Sequence, residues 1–289
     1  MSYHSVRSGR LYYETAGKGE PLILLPGLGG SGKSWAHQIG PLSQRFRCVT
    51  YDHIGTGRSD RWHGPYSVDG MADDLMELMD ALSIRSAHLI GHSTGGAIAQ
   101  TIACRTPERV RSLVLLASWS KADAYFRWIF AMRRQMLLGC GVEAYLRGTA
   151  FFLYPPWWIN QHEAEVERSI QAGLAEDPDR DILASRIDAI LAFDRADRLG
   201  GLTVPTLVTG AANDVLVPRH YLADLAARIP GALLDILPDG GHVPHQTTPE
   251  AFRQRVLRFL DEEQEQHQQQ PPPPEPRLLH AESGASLAS

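Results

Sequence analysis

The stretch Ala87-His88-Leu89-Ile90-Gly91-His92-Ser93-Thr94-Gly95 constrains this chain more than any other, because an apolar run of strand length ends in Gly-x-Ser-x-Gly. A backbone that leaves a strand and enters a helix within that span turns so sharply that the serine sits strained and exposed. Glycine on either side removes the Cβ atoms that would clash. Downstream, Gly96 to Cys104 reads as a buried helix ended near Pro107, and Val110 to Ala117 returns to β character. Strand, crossover and strand at this spacing form a βαβ unit, whose two strands are parallel. The expected fold class is therefore α/β.

Composition narrows the partners. A chain of 289 residues with 43% apolar content buries one substantial core together with a smaller accessory region. Its net charge of -5, with no basic patch, argues against nucleic acid and against an anionic membrane surface. Cys48, Cys104 and Cys140 are odd in number and widely spaced, and so read as small buried hydrophobes in a reducing compartment. The start Met1-Ser2-Tyr3-His4-Ser5 has no apolar signal core, and no run of about 18 uncharged apolar residues occurs. A cytoplasmic protein is expected, with a homodimer left open.

Periodicity lays out the remaining elements. A hairpin over Tyr3 to Arg7 and Arg10 to Thr15 opens the chain. Strands follow at Pro21 to Leu25 and Arg47 to Tyr51, with helices at Trp35 to Leu42 and Val68 to Leu82. After Ala117 the alternation stops for about 80 residues. It resumes with strands at Thr203 to Thr209 and Leu233 to Leu237, and with helices at Tyr221 to Arg228 and Pro249 to Glu262. Residues 1–117 and 201–263 are expected to form the core, 118–200 a helical cap inserted after the sixth strand, and 264–289 a disordered tail. The tail's Gln268 to Gln270 and Pro271 to Pro274 carry too little apolar surface to fold.

The interruption is rich in aromatics, with Trp119, Tyr125, Phe126, Trp128, Phe130, Tyr145, Phe151, Phe152, Tyr154, Trp157 and Trp158 all inside it. Large apolar side chains inserted between two sheet strands roof a pocket for a small organic ligand. The expected lining is Gly29, Trp119, Phe126, Phe130, Tyr154, Trp157, Leu216 and Val243. Arg127, Arg133 and Arg134 of the same region could meet a carboxylate on the substrate, but read first as solvated residues of a helix surface and are not counted as sites.

A serine becomes a nucleophile when a base takes its proton, and the base needs a third group to hold its tautomer and balance its charge. In a sheet of this kind the acid and then the histidine follow the serine, each on a loop at a strand's carboxyl end. Asp214 follows the strand ending Val208-Thr209-Gly210, and His242 lies after the next strand in Asp239-Gly240-Gly241-His242. Ser93, Asp214 and His242 are thus the expected catalytic set, with Asp123 as the reserve acid. His37, His53 and His92 read as packed structural histidines. For a developing oxyanion, the donors expected are the backbone N–H groups of Thr94 and of Leu28, within the glycine-rich loop Pro26-Gly27-Leu28-Gly29-Gly30.

Three motifs in order, the loop from Gly27, the turn Asp52-His53-Ile54-Gly55-Thr56-Gly57-Arg58-Ser59 and the elbow at Ser93, resemble the α/β-hydrolase-fold enzymes over roughly residues 3 to 262. Within that family, Gly27 to Gly32 with Trp35, the Tyr51-Asp52 turn and Phe152-Leu153-Tyr154-Pro155-Pro156-Trp157 are similar to the aminoacrylate or carbamate hydrolases of pyrimidine utilisation. The 3-oxoadipate enol-lactonases are nearly as similar. The resemblance implies a mostly parallel sheet flanked by helices, and a serine hydrolase needing neither metal nor cofactor that acts on a small ester, lactone or related acyl compound. The alternatives are a C–C bond hydrolase, a carbamate or aminoacrylate hydrolase, and a non-catalytic ligand receptor. The chain departs from the pattern at Pro26, where many relatives carry histidine, and at Ser93, where the aminoacrylate group often lacks a serine.

Gly27-Leu28-Gly29-Gly30-Ser31-Gly32-Lys33-Ser34 also satisfies the phosphate-loop pattern Gly-x-x-x-x-Gly-Lys-Ser, following a strand and preceding a helix. Nucleotide binding would leave Ser93, Asp214 and His242 without a purpose. The hydrolase reading needs a glycine-rich loop at this same place.

Overall fold

In the computed structural model, which describes residues 2–269, the central strands are apolar at almost every position because helices cover both faces of the sheet. In β3 (Glu20–Leu25), β5 (Ala87–His92), β6 (Val110–Leu116) and β7 (Thr206–Ala211) alternate residues enter two different cores. Ile23, Leu25, Leu89, Leu113, Leu115 and Val208 join the larger core, whereas Leu22, Leu24, Ile90, Val114, Leu116 and Leu207 join the smaller one. The larger core is closed by α2 (Val68–Ala81), α3 (Thr94–Arg105) and α8 (Arg219–Arg228). The smaller is closed by α1 (Ala36–Leu42) and α10 (Pro249–Gln269).

Eight strands pair in the order β1-β2-β4-β3-β5-β6-β7-β8. The hairpin of β1 (Ser2–Val6) and β2 (Gly9–Ala16) is antiparallel and joins β4 (Phe46–Tyr51) antiparallel; every later pairing, out to β8 (Leu233–Leu237), is parallel. The carboxyl ends of β3, β5, β6, β7 and β8 therefore lie along one edge, the customary place for a ligand in such a sheet.

Between β6 and β7 run four helices: α4 (Ala124–Leu153), α5 (Pro156–Gln161), α6 (Glu163–Ala175) and α7 (Arg180–Leu191). Helix α4 is long and apolar enough to match a membrane span, but it breaks at Gly141, whose φ is 88°, and Arg127, Arg133, Arg134, Glu143 and Arg147 interrupt it. Two expectations change. Of the three cysteines only Cys48 is buried, Cys104 being half-buried and Cys140 exposed, and the boundary at the far end moves. Helix α10 continues to Gln269, so residues 264–269 extend it rather than opening a disordered tail. Their four glutamines and one glutamate favour helix, and no breaker precedes Pro271. The rest of the expected tail lies outside the described residues.

Candidate active site

At the end of β5 the chain turns on Ser93 with φ 52° and ψ -114°, a conformation that costs a non-glycine residue of order 1–3 kcal/mol. Its amide donates to the Leu116 carbonyl at 2.8 Å, and its own carbonyl receives Gly96 N–H at 2.9 Å, which begins α3. A Cβ on Gly91 would collide with the Gly95 carbonyl, and one on Gly95 with the carbonyls of Leu25 and Pro26. The two glycines of the motif thus let β5, the elbow and the β3 loop pack main chain against main chain. Thr94 opens α3, where a first-turn amide has no acceptor within its helix.

Asp214 and His242 sit on the loops after β7 and β8. Asp214 spends Oδ1 on the amides of Leu216 at 2.8 Å and Val217 at 2.9 Å, which leaves Oδ2 for His242 Nδ1–H at 2.8 Å. Both side chains are buried. Donation from Nδ1 places the lone pair on Nε2, the tautomer a general base needs. The histidine loop is fixed from three directions. Gly241 N–H reaches Asn213 Oδ1 at 3.0 Å, His242 N–H reaches the Leu153 carbonyl at the end of α4 at 2.9 Å, and the His242 carbonyl accepts His92 Nε2–H at 2.9 Å. Gly241 has φ 63°, and a Cβ there would meet the Leu153 carbonyl.

Two more histidines crowd the base. The His92 ring centroid lies 4.8 Å from that of His242 and 4.6 Å from that of His245. Burial, reinforced by His245 and His242, holds His92 well below the ordinary histidine range. Burial, reinforced by His242 and His37, pushes His245 down to about 3. Both are neutral at physiological pH, so neither presents a charge that would oppose an imidazolium at His242.

The glycine-rich loop after β3 closes on itself through Gly30 N–H to the Gly27 carbonyl at 2.9 Å. A Cβ on Gly27 would stand 2.9 Å from His92 Nδ1 and 3.5 Å from Ser93 Cβ, so the loop runs directly over the elbow. Asp52 accepts Gly32 N–H at 2.8 Å and pairs with Arg58 at 2.9 Å, and Lys33 pairs with Glu176 at 2.8 Å. Those bonds engage Lys33, Asp52 and the Gly30 and Gly32 amides, the groups a phosphate loop would need for phosphate and metal, and only a four-residue helical turn follows at Gly32–Trp35.

Ser93, His242, Leu28 and Gly29 line one cavity of about 420 Å³ beneath the cap. Of the expected lining, Phe130, Tyr154 and Leu216 also face it, whereas Trp119, Phe126, Trp157 and Val243 do not. Trp119 and Phe126 stack at 4.5 Å behind the wall, with Phe130 next at 4.4 Å from Phe126. They pack the cap root onto the core instead of touching the cavity. Trp157 donates Nε1–H to Asp239 at 2.8 Å, and Val243 is buried under α9 (Pro244–Thr247). Asp123 caps α4 by accepting Phe126 N–H at 2.9 Å and also receives the Tyr221 hydroxyl, while His242 turns to Asp214. His53 and His92 are buried, but His37 is exposed.

Sequence reasoning set Arg133 aside as solvated together with Arg127 and Arg134, and could not single it out. It is 4% exposed, lines the cavity, and donates Nη2–H to the Tyr145 hydroxyl and to Thr149 Oγ1, both at 3.1 Å, while its Nε has no partner among the described residues. Phe130, Tyr145 and Phe152 surround the guanidinium at 4.9, 5.1 and 5.7 Å. The other cations of the lining, Lys33 and Arg61, are occupied by Glu176 and by the Glu176 and Asp177 carbonyls.

A mostly parallel sheet, a serine on a strained strand-to-helix turn and a helical insertion after β6 define an α/β hydrolase, and the chain belongs to that family. Residues 20–144 match the α/β hydrolase fold. A protein of Azorhizobium caulinodans provisionally named carbamate hydrolase RutD is 40% identical over 262 residues, 91% of this chain and 99% of its own. Among solved structures, a hydrolase from Pseudomonas aeruginosa is 30% identical with a TM-score of 0.80, over 90% of this chain and 97% of its own. The enol-lactonase of Burkholderia xenovorans is 25% identical with a TM-score of 0.84, over 90% of this chain and 100% of its own.

Proposed function

We propose that the protein is a serine hydrolase of small acyl compounds, with Ser93 as nucleophile, His242 as general base and acid, and Asp214 as the group that orients the imidazole. The carrying observation is the His242 Nδ1 to Asp214 Oδ2 bond of 2.8 Å, made by a histidine that lines the same cavity as Ser93. Ser93 Oγ attacks the acyl carbon as His242 Nε2 takes the hydroxyl proton. The negative charge that appears on the carbonyl oxygen is held by the Leu28 and Thr94 amides. Collapse passes the proton from His242 to the leaving oxygen or nitrogen and leaves an acyl ester on Ser93. Water, deprotonated by His242, then releases the acid and restores the serine.

The cavity volume limits the substrate to a small molecule. Buried Arg133, whose hydrogen-bond partners among the described residues are the neutral Tyr145 and Thr149, favours a substrate carrying a carboxylate, which a guanidinium binds through paired N–H donors. An ester or lactone is the first reading. A carbamate is the second, and the name of the Azorhizobium relative favours it.

A fluorophosphonate probe tests the nucleophile: we expect one label at Ser93, absent in Ser93→Ala along with at least about 10⁴ of kcat. A folded wild type that takes no label overturns the proposal. A panel of short esters, lactones, carbamates and a vinylogous diketone then separates the acyl classes.

A further inference from the structure

Arg186 is an arginine of the cap that makes no contact with solvent. It lies mid-way along α7 and is 0% exposed. It has no carboxylate within ion-pair distance among the described residues, and burial lowers it to about 10, so it remains a cation at neutral pH. Enclosing an uncompensated charge is costly unless its donors are well used. Here the two terminal nitrogens are spent on the core, while Nε has no partner among the described residues. Nη2 donates to the Leu28 carbonyl at 2.9 Å and to His53 Nδ1 at 2.8 Å, and Nη1 donates to the Ile54 carbonyl at 3.2 Å.

The three acceptors belong to two loops that need each other. Leu28 lies in the loop that runs over Ser93, and His53 and Ile54 open the turn that supports it. His53 N–H and Thr56 Oγ1–H both donate to the Gly30 carbonyl, at 2.8 and 3.1 Å. A Cβ on Gly30 would stand 3.0 Å from Arg186 Nη2, so glycine is also what admits the guanidinium. One helical turn away on α7, Leu183 lines the substrate cavity.

We propose that Arg186 is a positioning residue through which the seating of cap helix α7 holds the oxyanion loop in its working geometry. The inference rests on the serine-hydrolase reading above. Its content is additional: the cap does more than enclose the substrate, because without its guanidinium the Leu28–Gly29 peptide loses the one side-chain hydrogen bond it receives among the described residues. A buried cation beside this loop also favours a negative charge that develops there over a neutral ground state.

The test compares wild type with Arg186→Lys, which keeps the charge, and Arg186→Gln, which keeps a planar donor. Each is assayed on p-nitrophenyl butyrate, against a trifluoromethyl ketone that mimics the tetrahedral oxyanion, and against butyrate as a ground-state ligand. Displacing a catalytic group by about 1 Å costs about 10² in rate. We expect kcat to fall by about that factor in Arg186→Gln and less in Arg186→Lys. KM and butyrate affinity should change only a few-fold, and the ketone should weaken in proportion to kcat. A folded variant with wild-type kcat and ketone affinity overturns the inference, as does a variant whose losses appear in KM and butyrate binding alone. Hydrogen exchange on the wild type decides the matter without any variant. The ketone should protect residues 27–30 and α7 together, and protection of the loop with α7 unchanged overturns the coupling. If the wild type neither turns over the ester nor labels at Ser93, the hydrolase reading itself has failed; if it does both while the variants keep kcat, only the role of Arg186 has.

Discussion

The neutral histidines beneath the site make acid stability a direct reading of the structure. His53, His92 and His245 are all buried and all held below the ordinary range, first by burial and then by Arg186 or by neighbouring histidines. In the unfolded chain each takes a proton near pH 6.5, whereas in the folded protein each refuses it until far lower. Their contribution is therefore complete above about pH 6.5 and is lost as pH falls, at about 1.4 kcal/mol per pH unit for each group. Asp74 works in the opposite direction, because burial, aided by Glu77 and Asp73, raises it to about 6 and its folded form gains a proton first. Three histidines against one aspartate leave a net loss of about 3 kcal/mol between pH 6 and pH 5. That is a large share of an ordinary stability of about 5–15 kcal/mol. Urea unfolding followed by tryptophan fluorescence at pH 7, 6 and 5 measures it. His245→Phe sharpens the test, since Trp35 at 4.5 Å and Phe252 at 6.2 Å already surround that ring with aromatic carbon. The substitution should bring the loss down to about 1 kcal/mol over the same interval. A wild-type stability that is flat from pH 6 to pH 5, or a slope unaltered by His245→Phe, would refute the reasoning.

Asp214→Asn should keep KM within a few-fold and lower kcat by about 10³–10⁴, because an amide donating to Nδ1 selects the wrong tautomer of His242; steady-state kinetics on any ester turned over by the wild type checks it. Arg133→Met should erase a preference for an acidic acyl chain over a neutral one, measured as the ratio of kcat/KM for mono-p-nitrophenyl glutarate to that for p-nitrophenyl butyrate, with a loss of about 10² in that ratio. An unchanged ratio would remove Arg133 from substrate recognition. Gly95→Ala forces a methyl group onto the Leu25 carbonyl and should cost about 3 kcal/mol or more, seen as a lower urea midpoint or as insoluble protein.

The parts of the fold that could be read in advance are those whose neighbours are dictated by local geometry. β3, β5, β6 and β7 announce themselves because strands buried on both faces carry mostly apolar residues in succession. The elbow is legible because only glycine tolerates main-chain contact at 91 and 95. Asp214 and His242 follow from chain order, since a parallel sheet sets successive strand ends side by side. In the cap none of this applies. Size marked Trp119 and Phe126 as candidate walls, but which face of an aromatic stack meets the cavity is decided by Phe193, Phe130 and Tyr221, residues far apart in the chain.

Arg133 and Arg134 show why the cap resists such reading. One residue on an α-helix turns the side chain by about 100°. Arg134 pairs with Asp188 at 3.0 Å in the open, whereas Arg133 is enclosed among Phe130, Tyr145 and Phe152. A sequence pattern separates two such neighbours only when apolar residues mark a single face. Helix α4 marks none: Trp128 is 81% exposed and Phe130 is buried on the same helix. The choice between them was made by where α6 and α7 settle against α4, so a cavity cation with no anion beside it among the described residues emerges only from the assembled cap.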